Sequence, residues 1–65
     1  MSDRKDEILR AWNEVKVLVE SLELDVTKNA HGNKSAGVRA RRGLRALKGM
    51  TADLVKSTID ADKKR

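Results

Sequence analysis

A chain of 65 residues, with 15 Lys and Arg against 10 Asp and Glu and a net charge of +5, forms one small domain with a thin core. The absence of cysteine excludes disulfides and thiolate metal sites, and the single histidine, His31, cannot build a zinc site alone. Without a cysteine nucleophile or enough chain to enclose a pocket, the composition argues against most enzymes and favours a binding module that has no cofactor and no small-molecule substrate.

The N-terminal segment carries an apolar stripe with helical spacing. Its members follow one another at steps of four and three residues: Ile8, Trp12, Val15, Val19, Leu22 and Val26. Ala11 and Leu18 widen this stripe to the width that a helix in a bundle needs. The pattern predicts a first helix over residues 3–29, with Trp12 in the core.

A short turn is predicted over residues 30–33. Gly32 suits the left-handed conformation that follows a helix, and Asn33 suits the N-cap of the next helix. Because the connection is short, the two helices are expected to be antiparallel.

A second apolar stripe predicts a helix over residues 34–62. Its members are Ala40, Leu44, Leu47, Thr51, Leu54, Thr58 and Ala61, with Met50 and Val55 beside them. The positions near the turn are small, and we expect them to admit a close helix backbone or a large side chain such as Leu22 or Val26. These small positions are Ala36, Gly37, Ala40 and Gly43.

The predicted fold is therefore all-α, a single domain over residues 1–65 that forms an antiparallel two-helix hairpin. Two helices alone leave half of each apolar stripe in contact with water. We therefore expect two hairpins to pair as a homodimer in a four-helix bundle.

The basic residues are concentrated in one part of the chain. Residues 28–50 hold seven basic and no acidic side chains, whereas residues 1–27 hold four basic and seven acidic ones. Arginine binds phosphate through two parallel hydrogen bonds, and cations in the first turns of a helix oppose its dipole, so folding alone does not explain them. A binding surface is favoured over a merely solvated face.

This cationic block falls on the second helix. Lys34, Arg41, Arg45 and Lys48 recur there at spacings of seven, four and three residues, and Arg42 and Arg39 are expected to lie to either side of them. The predicted DNA-binding residues are Lys34, Arg39, Arg41, Arg42, Arg45 and Lys48.

The turn and the basic helix resemble the signature of the bacterial linker-histone-like proteins, which are small nucleoid proteins. The resemblance is specific in the motif Gly-Asn-Lys-x-Ala-Gly-x-Arg-x-Arg, which begins at Gly32, and it extends from Val15 to about Ile59. It implies non-specific DNA binding and chromosome condensation. The matching basic positions are Lys34, Arg39, Arg41 and Arg42.

Together these features favour a histone-like architectural protein that contacts the phosphates of duplex DNA with little base selectivity. RNA is a second nucleic-acid candidate, and a helical adaptor that docks on an acidic protein surface is the alternative from another class. A membrane surface is disfavoured, because the face opposite the basic residues is Ala and Gly. No apolar run approaches the roughly 20 residues of a membrane-spanning helix, and no signal peptide is recognised, so the expected location is the cytoplasm and its nucleoid.

Overall fold

The computed structural model describes residues 3–63, which form two α-helices joined by a short turn. Helix α1 spans Asp3–Ala30 and helix α2 spans Lys34–Lys63, and no strand occurs within that range. The helices pack side by side in a hairpin with dimensions of 49 × 16 × 12 Å. The all-helical prediction is confirmed. The bounds expected from the sequence were 3–29 and 34–62.

The turn is closed by the backbone on one side and by a side chain on the other. Gly32 adopts a φ of 101°, and the N–H groups of Gly32 and Asn33 donate to the carbonyls of Asn29 and Lys28, at 2.9 and 3.0 Å. These two bonds form a Schellman motif, which satisfies the free carbonyls at the end of α1. The Asn33 side chain then accepts the Ala36 N–H at 2.9 Å and caps α2. Both roles predicted for Gly32 and Asn33 are confirmed.

The contact between the helices is built from large residues of α1 and small residues of α2. Leu22 of α1 occupies the space beside Gly43 in which a Cβ would lie, as the small positions of α2 predicted. Asn29 and Gly37 approach each other in the same way nearer the turn. The hydrophobic residues that become fully buried are few and mostly small. They are Val15, Leu22, Ala36 and Ala40.

Trp12, predicted in the core of a four-helix bundle, is not buried by the single hairpin. Trp12 keeps 48% of its surface exposed, and Val19 and Leu44, also predicted in the apolar stripes, are similarly exposed. The helices instead meet along the neighbouring edge of each stripe, where Leu18 and Met50 are half-buried. A helix with a single partner covers one narrow strip of its surface, so the other edge of a wide stripe stays in water.

The uncovered edges combine into one surface, which we call the apolar face. Trp12 and Val19 line one open groove on it, and Val19, Val26 and Leu44 line the next. Val55 lies three turns beyond Leu44 on the same side of α2. The apolar face therefore comprises Trp12, Val19, Val26, Leu44 and Val55.

Candidate nucleic-acid interface

Four basic residues form a row along the solvent side of the first half of α2. We call this row the basic stripe, and it comprises Lys34, Arg41, Arg45 and Lys48, all of them exposed. At 1.5 Å per residue the stripe is about 21 Å long, because it covers fourteen helical steps. Ala36 and Ala40, which are buried against α1, lie on the opposite side of the same helix. The small face of α2 thus packs on α1 and turns the basic stripe towards solvent.

Arg42 and Arg39 occupy different environments. Arg42 is exposed and lies about 90° around the helix from the basic stripe. Arg39 lies at the far edge of α2, where its Nη2 is 3.1 Å from Oδ1 of Asp25 on α1. The expectation that Arg39 borders the basic stripe is therefore wrong, because a helical step of 100° per residue carries it to the side that faces α1.

The Arg39 pair has two-pronged geometry. Nε donates to both carboxylate oxygens of Asp25 at 3.2 and 3.3 Å, and Nη2 donates to Oδ1 at 3.1 Å. The Asp25 side chain is 21% exposed and that of Arg39 is 54% exposed, so water screens the pair. The pair joins the two helices near the turn and engages two of the three guanidinium nitrogens of Arg39.

Gly37 has a role that the periodicity predicted only in part. A Cβ at this position would overlap the Asn29 side-chain amide and would lie 3.2 Å from Nη1 of Arg41. The missing side chain therefore makes room for the Arg41 guanidinium beside the turn. Asn29 completes this corner by donating to the Asn33 carbonyl at 3.3 Å. Sequence reasoning did not identify Asn29, because its contacts depend on how the two helices meet.

The electrostatic environment of the basic stripe is one-sided. Residues 28–50 contain no acidic side chain, and the first turn of α2 has none either. Among the six predicted DNA-binding residues, Arg39 alone forms an ion pair within the part of the chain described by the structure. The other five charges face solvent, where the dipole at the start of α2 adds further positive potential. A polyanion is the partner that this surface favours.

Other kinds of site find little support in residues 3–63. No group of three or more His, Cys, Asp or Glu side chains that could hold a metal ion occurs among them. Neither α1 nor α2, over the same range, contains a segment long and apolar enough to cross a membrane. His31 is exposed in the turn, where its Nδ1 donates to the Thr27 carbonyl at 2.8 Å. This bond gives His31 a role at the end of α1.

A helical hairpin with an acid-free basic face defines a class of small proteins that bind polyanions. Comparison with known families gives the assignment within that class: the profile of histone H1-like protein Hc1 matches residues 10–64, and the chain belongs to this family. The resemblance to bacterial histone-like proteins seen in the sequence is thereby confirmed. No curated protein and no solved structure matches the chain.

Proposed function

We propose that this protein binds duplex DNA through phosphate contacts made by α2, with little base selectivity, and acts as an architectural protein of the nucleoid in the cytoplasm. The observation that carries the proposal is the basic stripe, an exposed row of four cations without an acidic neighbour in residues 28–50. Membership of the histone H1-like family supports the same partner.

The dimensions of the basic stripe suit a phosphate backbone. Its length of about 21 Å equals the rise of about six base pairs along the duplex axis, at about 3.4 Å each. Arg42 adds a cation on one flank, and Arg39 contributes less because Asp25 engages two of its five N–H donors and pairs its charge. Long side chains on a helix surface reach phosphates without needing any base sequence, so low selectivity follows.

The functional unit that we propose is a homodimer in a four-helix bundle. Each copy supplies seven basic residues from the segment 28–50, and about six to eight of the fourteen would reach phosphates at once. The thin core of the single hairpin supports pairing, because domains of this size rarely obtain enough apolar burial alone.

Titration of the protein into two labelled duplexes of unrelated sequence tests the DNA proposal. We expect equal affinity for both, and a fall of about 10³ to 10⁵ between 50 and 200 mM salt, because each neutralised phosphate releases counterions. Unlabelled bulk DNA should compete, whereas polyglutamate of equal charge should compete weakly. Stronger competition by polyglutamate would favour docking on an acidic protein surface, and stronger competition by RNA would make RNA the partner.

A further inference from the structure

The two broad sides of the hairpin differ in chemistry. On one side lies the apolar face, in which Trp12, Val19 and Leu44 keep 46–49% of their surface exposed. The grooves on the other side mix acidic and polar residues, among them Glu14, Ser21 and Asp53, with apolar ones such as Val17 and Met50. The two grooves of the apolar face share Val19 and so form a continuous apolar surface in water, which is the mark of a surface that another molecule covers.

We infer that a second copy of this chain covers the apolar face, with both turns at the same end of the resulting bundle, so that each α1 packs on the partner's α2. This inference rests on the homodimer of the proposed function and specifies its interface and its polarity. It places both basic stripes in the half of the bundle that carries the turns, on opposite sides of the bundle axis.

The size of the surface supports a second copy as the occupant. The broad side that carries the apolar face has an outline of 49 by 16 Å, which is large enough for the roughly 800 Å² of accessible surface that each partner gives to a stable interface. Within residues 3–63 a single hairpin buries four hydrophobic residues, two of them alanines. A chain with so thin a core needs a permanent partner, and an identical copy is present whenever the chain itself is.

Two copies related by a twofold axis can pack with their turns at the same end or at opposite ends of the bundle. The net charges of the two helices favour one of these arrangements. Helix α1 has five basic and seven acidic residues, a net of −2, and α2 has eight basic and three acidic residues, a net of +5. If the turns lay at opposite ends, α2 would pack on the partner's α2 and α1 on the partner's α1, which brings like charges together. With both turns at one end, each α1 packs on the oppositely charged α2 of the other copy.

The register of the hairpin makes this complementarity specific. Leu22 contacts Gly43, and Asp25 pairs with Arg39, so residues whose numbers sum to about 65 lie level along the bundle. When both turns lie at the same end, the same rule holds between copies: a residue of α1 lies at the same height as the residue of the partner's α2 whose number brings the sum to about 65. Glu20 and Glu23 border the grooves of the apolar face. They come level with the partner's Arg45 and the partner's Arg41, two members of the basic stripe, so the interface and a phosphate backbone would share these two arginines. Lys16 with the partner's Lys48 is an opposing like-charge pair.

Spin-label distances test the polarity directly. The chain has no cysteine, so Ala30→Cys beside the turn and Asp60→Cys near the other end each give one label per copy, at exposed positions. Same-end packing predicts that both variants, each as a homodimer without DNA, show a label separation of about 15–25 Å, since neighbouring helices lie 8–10 Å apart. Separations near 49 Å, the length of the hairpin, at both positions overturn the inference, as does a monomer in sedimentation.

Charge reversal gives an independent test. Glu20→Lys combined with Glu23→Lys should raise the dimer dissociation constant by about tenfold or more, because each then meets a cation of the partner. Glu14→Lys, on the polar broad side, is the single-site control and should leave dimerisation unchanged. Equal weakening by Glu14→Lys would contradict the inference. Neither test involves nucleic acid. If the inferred dimer interface is disproved, the proposal that the basic stripe binds DNA is still tested separately by the DNA titration.

Discussion

Leu22 of α1 occupies the space in which a Cβ of residue 43 would lie, so α2 requires a glycine at that position. This contact lets a leucine bury itself in a hairpin whose other fully buried hydrophobic residues are one valine and two alanines. It also sets the register that brings Asp25 beside Arg39 and directs the basic stripe away from α1.

Gly43→Ala should destabilise the protein by about 1–3 kcal/mol, because the added methyl group overlaps Leu22 and forces the helices apart. Gly49→Ala is the matched control, since nothing lies within 4 Å of its Cβ position. In a helix interior that change should stabilise by about 0.5–1 kcal/mol. Urea unfolding followed by circular dichroism measures both. A Gly43→Ala protein as stable as Gly49→Ala would show that the contact is loose.

Asn33→Ala should lower stability by about 1 kcal/mol, because the Ala36 N–H loses its side-chain acceptor at the start of α2. Asn33→Ser keeps an acceptor and should recover most of that loss. Thermal unfolding of the two variants makes the comparison. If serine and alanine are equally harmful, the cap is not what fixes the turn.

Arg39→Gln should affect folding more than it affects DNA affinity, because Asp25 already holds the Arg39 side chain. A double-mutant cycle with Asp25→Asn should give a coupling of about 0.2–1 kcal/mol, the range for an exposed ion pair. Arg42→Gln is the matched control, since it removes one charge without breaking an ion pair in the described region. A larger loss of DNA affinity for Arg39→Gln than for Arg42→Gln would return Arg39 to the phosphate surface.

Trp12→Gln should weaken self-association, because Trp12 contributes a large aromatic side chain to the apolar face. Leu24→Gln is the control, since Leu24 is 61% exposed but lies away from that face. Sedimentation equilibrium should show a raised dissociation constant for Trp12→Gln alone. An unchanged dimer in the Trp12 variant would show that the copies meet elsewhere.

The helices and the turn followed from local patterns, because capping by Asn33 and the left-handed Gly32 depend on neighbours in the sequence. The fit of Leu22 against Gly43 was also within reach, since small residues in one helix call for a large one in the other. Periodicity could not decide which edge of a wide stripe meets the other helix of the hairpin, so it did not show that Trp12 stays half exposed in a single copy. That choice depends on the register of both helices together.

In the candidate site, too, some features could be predicted from the sequence and others could not. The exposure of Arg41, Arg45 and Lys48 follows from helical spacing alone, because the buried alanines fix the opposite side. The pairing of Arg39 with Asp25 does not follow from helical spacing. Asp25 is fourteen residues away in sequence, and only the register of the hairpin brings it beside Arg39. The position of this ion pair therefore depends on the hairpin register, which the spacing within one helix does not specify.

The salt dependence of DNA binding by a triple variant tests whether the cationic face of α2 binds DNA by neutralising phosphates. The triple variant replaces three arginines with Gln, which removes three charges per chain and keeps long helix-forming side chains. The replaced residues are Arg41, Arg42 and Arg45. The control removes the same number of charges elsewhere, at Arg10, Lys56 and Lys63, which are exposed and lie outside residues 28–50.

For six to eight phosphate contacts the plot of log affinity against log salt should have a slope of about −5 to −7 in the unmodified protein. The Arg41, Arg42 and Arg45 variant should flatten that slope by about 2 or more, with its helical circular dichroism intact. The slope of the control variant should differ from that of the unmodified protein by no more than about one. Equal flattening by the two triple variants, or none by either, would contradict the account.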